Sequence, residues 1–216
     1  MMQISHVLFR TDDLNRAVQQ LTDAGFSVEY GAHPSKAYNA FIWFEEGVFI
    51  EIFKIRTIPL LFRWLIRIFG YSPVVDRMKV WKESSGWCDW SLETRKKDLK
   101  YYQLLLEYLD IGCKVFKSTR KDLHGRKLSW RLAFPEDTHF PFLMSAYSVN
   151  PRPEKITHSN GIKSIRMIKV GKESLDTVLL DALLEDKEAL KLMEGCQGLQ
   201  TVEFLHSNIK IEDILI

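Results

Sequence analysis

"ISHVLFRTDDLNRAVQQLTDAGF", residues 4–26, changes its period halfway along. The first part, "ISHVLFRT", alternates and is rich in β-branched and aromatic residues, which specifies a strand. From Asp12 onward the period is helical: Leu14, Ala17, Val18 and Leu21 form one apolar stripe, Asp12 or Asp13 can cap it, and Gly25 ends it. Outward from this stretch, "FSVEY" reads as a short strand. "YNAFIWF" (38–44) and "GVFIEIF" (47–53) then read as a hairpin turning at Glu45, Glu46 and Gly47. Residues 1–56 therefore form a β-α-β-β-β module.

The pattern returns over residues 85–149. "WCDWSLET" is a strand, "KDLKYYQLLLEYLDIG" a helix, and "CKVFKS", "KLSWRLAF" and "FPFLMSAYS" are three more strands. A shorter third copy occupies 155–216, with the strand "GIKSIRMIKV", the helix "ESLDTVLLDALL" capped by Ser174, and the late strand "LQTVEFLHS". One such unit cannot bury both faces of its sheet, so a repeat on this scale implies modules sharing a sheet or barrel. The expectation is a single compact α+β unit.

Between the first two copies lies an apolar and basic insert, residues 57–84. Its core, "IPLLFRWLIRIFG", carries Arg63 and Arg67 one helical turn apart. This helix has three readings: packed over the barrel mouth or into a homodimer interface, laid on a membrane surface through residues 58–69, or closing over a substrate.

The bulk properties narrow the function classes. Of 216 residues, 46% are hydrophobic and 27% charged, ordinary for a globular protein, and the net charge of +2 is too small to argue for nucleic acid. The 12% aromatic content suggests a pocket or a broad interface. Cys88, Cys113 and Cys196 are odd in number and lack CxxC spacing, which fits a reducing, cytoplasmic setting. The start of the chain lacks signal-peptide character, and no uncharged apolar run approaches a membrane span. GxGxxG, Walker and GxSxG motifs do not occur, which leaves nucleotide binding and serine-triad hydrolysis without support.

Strand alternation selects the chemistry-bearing face. Val7 and Phe9, with Val48, Ile50 and Ile52, face the helix. His6 and Leu8, with Phe49, Glu51 and Phe53, face the other way, as do Asn39, Phe41 and Trp43. Glu51 interrupts an otherwise apolar strand. A carboxylate in such a place neutralises, pairs or binds a metal.

A β-α-β-β-β module with His on its first strand and Glu on its last resembles the glyoxalase-like domain family of the vicinal oxygen chelate superfamily. The residues that carry the resemblance are "ISHVLFRTDDLNRAVQQLTDAGF", His33-Pro34 followed by Asn39, "FIEIF", and later "RKDLHGRKLSWRLAFPED", "FPFL" and "HSNG". The resemblance implies two paired modules forming an open, barrel-like cup, with the third, shorter module beside them. It also implies a divalent metal (zinc, iron, manganese or nickel) held by His and Glu from both modules. Carried onto this chain, the metal ligands would be His6 and Glu51, joined by Asp89 from the second module if two inserted residues are allowed, and by His158 swinging in from a linker. Ser145 falls where a second Glu would stand. A metal-free cup is therefore equally open, with Glu51 as general base. His33, Asn39, Phe41, Trp43, Phe49, Arg120, Trp130 and Arg131 are the candidate substrate contacts, Arg131 through its carboxylate-matching fork. The implied function is a lyase, isomerase or dioxygenase acting on a small carbonyl or aromatic compound. The alternative is a metal-free protein of the bleomycin-resistance type that sequesters a small molecule.

Overall fold

The structure is a computed structural model and describes residues 1–55 and 70–215. The insert helix expected over residues 58–69, with its three readings, lies outside these residues. Strand β1 (Met2–Arg10) runs into helix α1 (Leu14–Asp23). Asp13 is the cap, and its carboxylate accepts from the backbone N–H groups of Asn15 and Arg16 at 3.0 and 3.1 Å. The stripe Leu14, Ala17, Val18 and Leu21 is buried. Leu14 and Leu21 are 1% and 0% exposed, each contributing roughly 1.5–3 kcal/mol. The chain leaves the helix through Gly25 at φ +87°, where a Cβ would also strike the backbone of Asn160.

Strands β2 (Glu29–Tyr30), β3 (Asn39–Ile42) and β4 (Phe49–Phe53) complete the first module. Helix α2 (Ser72–Glu83) precedes the second, which comprises β5 (Gly86–Thr94), α3 (Lys100–Tyr108), β6 (Cys113–Lys121), β7 (Lys127–Pro135) and β8 (Phe142–Ser145). The two modules share one eight-stranded sheet in the order β2-β3-β4-β1-β5-β8-β7-β6. Their first strands, β1 and β5, meet antiparallel at its centre, and each pairs in parallel with the last strand of its own module. The sheet curls into an open half-barrel, the α+β cup that the family resemblance implies.

The third copy is β9 (Ile165–Lys172), α4 (Thr177–Leu183), β10 (Leu190–Met193) and β11 (Gln197–Phe204), followed by the single turn α5 (Ile211–Ile214). It builds its own three-stranded sheet, β10-β9-β11. β10 has no counterpart in the sequence reading, because "LKLM" is too short to establish a period. The cap of α4 is Asp176, not Ser174. Ser174 instead takes a left-handed backbone, φ 64°, in the turn before it.

The two faces of the large sheet do different work. The outer face carries one continuous apolar core, in which Val7, Ile50, Ile52 and Trp90 meet α1 together with Ile168, Val202 and Phe204 of the small sheet. The inner face holds two separate clusters, one around Phe53, Phe134 and Phe142 and one around Phe41, Trp43 and Phe49, with polar groups between. Among the described residues, no helix is long and apolar enough to cross a membrane.

Candidate active site

The hollow of the half-barrel is a cavity of about 260 Å³. His6 and Leu8 of β1, Asn39 and Phe41 of β3, and Glu51 and Phe53 of β4 all line it. Each sits at every second position of its strand, so one alternation rule aims all six inward. The His6 Nε2 atom stands 3.6 Å from Glu51 Oε2. The other carboxylate oxygen, Oε1, accepts from Asn39 Nδ2 at 2.8 Å. Gly31 makes this contact possible, since any Cβ there would overlap Asn39 Oδ1.

His6 is held from behind. Its ring stacks on Phe49 at 4.7 Å and meets the edge of Phe142 at 5.5 Å. Its Nδ1 lies 2.7 Å from Ser91 Oγ and 3.2 Å from Ser5 Oγ. Ser5 donates to Glu93 at 2.7 Å. With the Glu51 carboxylate as the neighbour of Nε2, the tautomer that suits the site carries its proton on Nε2, and Ser91 then donates to Nδ1. In that tautomer the Nε2 proton faces Glu51. Burial pulls the imidazole down to about 3, so it is neutral at pH 7. Burial pushes the Glu51 carboxyl up, opposed by the Asn39 hydrogen bond and the Arg120 charge. The pair is thus a neutral imidazole facing a carboxylate whose charge is disfavoured.

The second module supplies the opposite wall. Arg120 and Ser118 reach in from β6, Trp130, Leu132 and Phe134 from β7, and Tyr147 follows β8. Arg120 lies over the Phe41 ring at 4.7 Å and donates to the Gly31 carbonyl at 3.0 Å. It thereby ties one edge strand of the sheet to the loop after the other. Helix α2 lies across the hollow and inserts Val74, Met78 and Trp81, which share one helical face. Sequence reasoning missed Tyr38, Ser118, Tyr147 and the three α2 residues. The parity of Phe116, Ser118 and Arg120 on β6 was the signal available for Ser118.

Other expected site residues lie elsewhere. Asp89 is on the inner face but is consumed by α2: Arg77 donates to both its oxygens, at 3.1 and 2.8 Å, and Trp81 Nε1 to one at 2.6 Å. His158 is on the outer side, between the rings of Phe26 and Phe44. Its Nδ1 accepts from the Ser27 N–H at 2.9 Å and its Nε2 lies 3.0 Å from the Trp43 carbonyl, so both nitrogens are spent on backbone. His33 is exposed in a loop beside Ser35. Arg131 is exposed on the outer face, because Trp130 takes the inner one. Trp43 and Phe49 do not line the cavity, being packed behind His6 under the Arg152 guanidinium. An H158A variant is therefore expected to lose about 2–4 kcal/mol in urea unfolding, through two orphaned backbone groups and a void, with ligand affinity unchanged.

The chain belongs to the glyoxalase-like domain family, whose pattern matches residues 4–183. Its fold is that of the vicinal oxygen chelate superfamily. A hypothetical protein from Staphylococcus aureus has the same fold, with a TM-score of 0.67 at 15% identity, covering 94% of this chain and 90% of that one. The Mn(II)-bound glyoxalase from Novosphingobium aromaticivorans superposes with a TM-score of 0.56 at 9% identity, covering 99% of this chain and 69% of that one. An extradiol ring-cleaving dioxygenase from B. fuscum gives 0.52 at 11% identity, and this chain spans 60% of its length. At these identities the likeness is one of fold. No curated protein matches the sequence.

A metal of the kind the superfamily uses needs donors from both modules. Strand register identifies the second module's counterparts. His6 lies opposite Phe49 as Ser91 lies opposite Phe142, and two residues on Glu51 is matched by Met144. A hydroxyl and a thioether replace the expected imidazole and carboxylate, and neither suits zinc, iron(II) or manganese. Among the described residues, no three His, Cys, Asp or Glu side chains are placed to share an ion. With His6 Nδ1 engaged by Ser91, one imidazole nitrogen and one carboxylate remain. These residues do not fit a protein-held divalent ion.

Proposed function

We propose that this chain is a glyoxalase-like small-molecule enzyme that moves a proton in a small carbonyl or aromatic compound, with Glu51 as general base and no metal in the step. The observation that carries this reading is the Glu51 carboxyl itself. It opens into the cavity with 19% of its side chain exposed, fixed by Asn39 through one oxygen and pushed up by burial. A carboxylate so placed is a stronger base than one in water, and it is already aimed. The neutral His6 complements it. Its Nε2–H can donate to a substrate oxygen that gains negative charge as Glu51 takes the neighbouring C–H proton. Returning the proton to an adjacent carbon gives an isomerase, and expelling a leaving group gives a lyase.

The test is hydrogen–deuterium exchange in D2O. Protein treated with EDTA is incubated with a panel of small enolisable ketones and aldehydes, and exchange is followed by NMR. Expected are exchange into at least one compound, its loss in E51Q, and sub-stoichiometric metal in protein purified without chelator. A second reading has its own support: the apolar cluster of Phe53, Phe134 and Phe142 and the Ser91 and Met144 replacements suit a protein that only sequesters an apolar ligand. Tight binding without exchange would favour it and overturn the enzyme.

A further inference from the structure

We propose that Arg120 is the anchor for an anionic group, so that the ligands of the cup are small monocarboxylates with an aromatic or branched apolar body. The proposal rests on the cup being the ligand site and names what enters it.

The cavity is bipolar. At one end Phe53, Trp81, Phe134 and Phe142 pack against one another, with ring centroids 5.3–6.2 Å apart in tilted or edge-on contact, and present an apolar wall to the cavity. Such an arrangement accepts a ring or branched alkyl group through its apolar area. Toward the other end stand Arg120, Glu51, Asn39 and Tyr147. They are near enough that the Glu51 and Arg120 charges both act on the hydroxyl of the half-buried Tyr147. A volume of about 260 Å³ suits one ring-sized body and a short polar arm.

Arg120 is the one Lys or Arg among the described residues that line this cavity. The other arginines held within the fold spend their forks on the protein. Arg77 binds both oxygens of Asp89 and two backbone carbonyls. Arg126 binds Asp122. Arg152 binds the carbonyls of Phe44 and Gly47. Arg120 differs: among the described residues it gives one N–H to the Gly31 carbonyl and forms no ion pair with a carboxylate. A guanidinium carries five N–H donors. Its guanidinium lies over Phe41 in the cavity lining with one N–H given to Gly31, and a planar fork of this kind can bind a carboxylate through two parallel hydrogen bonds. Glu51 is the one carboxylate in the lining; the Arg120 charge acts on it, and among the described residues no direct ion pair joins the two. A ligand carboxylate seated on Arg120 would present its neighbouring carbon to the part of the cavity that Glu51 and His6 share.

The bland account of Arg120 is a clasp that ties β6 to the Gly31 loop. The two accounts differ in ligand charge selectivity, which a clasp does not produce. Phenylacetate and the isosteric neutral phenylacetamide are titrated into the full chain by calorimetry. Expected is binding of the acid about 10–100-fold tighter than the amide, the range for a charge-assisted pair. The ratio should fall to about one in Arg120→Met and be partly kept in Arg120→Lys. Should Arg120→Met not fold, the wild-type ratio and the Lys variant decide. Equal affinity for the two probes in the wild type overturns the anchor while leaving the cup as a ligand site. If neither probe binds, and the fluorescence of Trp81 and Trp130 is undisturbed, the reading of the cup as a small-molecule site falls instead.

Discussion

Glu51→Gln is expected to lower turnover by about 10²–10⁴-fold and at the same time to make the folded protein more stable at neutral pH. The first effect follows from the loss of the only carboxylate lining the cup among the described residues. Glutamine keeps the shape and still accepts from Asn39, so binding should survive while proton abstraction does not. The second follows from the direction of the Glu51 shift. Burial raises its carboxyl in the folded state against the pull of Asn39 and Arg120. The native chain therefore holds this proton more tightly than the unfolded chain does. Between the unfolded value, about 4.3, and the higher native one, stability falls as pH rises. Glutamine has nothing to ionise, so its advantage should be full above that window and vanish below about pH 4. Urea unfolding at a series of pH values, beside the exchange assay, checks both. A variant that is inactive but gains nothing at neutral pH would mean that Glu51 is better solvated than the fold suggests. The wild-type kcat/KM should rise with pH through the raised Glu51 value, and that limb should be missing in the variant.

The inward aim of His6, Asn39 and Glu51 could be read without coordinates because three strands obey a period of two and their outward positions are plainly aliphatic. The second module was harder. Ser91 stands eight residues before Leu99, as His6 stands eight before Leu14, so the two first strands align without a gap. Allowing an insertion moves the register by two and selects Asp89, which shares the inner face but answers to Arg77. The same parity decides between neighbours: with Trp130 inside, Arg131 has to be outside. His158 was misleading for a different reason. A histidine next to a repeat boundary looks like a ligand when its actual partners are backbone groups, the Ser27 N–H and the Trp43 carbonyl, which no side-chain pattern records. The placement of α2 was equally illegible, since its stripe of Val74, Met78 and Trp81 is interrupted by Arg77, and nothing local shows that an arginine will be buried.

That buried arginine should give the largest stability effect in the molecule. Arg77 is 1% exposed, and its guanidinium binds both oxygens of Asp89 and the carbonyls of Asp137 and Phe140, the last at 2.5 Å. It also lies 5.6 and 5.8 Å from the ring centres of Phe134 and Phe142. One side chain thus fastens α2 to β5 and to the loop before β8, holding Trp81 and Met78 over the apolar end of the cavity. Arg77→Met is expected to cost about 3–5 kcal/mol, because it strands a buried carboxylate rather than because the ion pair itself is worth that much. The distinction is measurable. Burial already pushes the Asp89 carboxyl up, with Arg77 foremost among the groups pulling it down. Without Arg77, Asp89 binds its proton more tightly folded than unfolded. The penalty should then be full at neutral pH and shrink as pH falls through the raised native value. A double variant, Arg77→Met with Asp89→Leu, should recover most of the loss at pH 7 and show no such pH dependence. If the double variant stays as unstable as the single one, the interaction matters for the packing of α2 against the Phe134 and Phe142 rings and not for its charge. Affinity for apolar ligands should then drop in both variants alike, since in that case what closes the cup is the shape of the arginine and not its pairing.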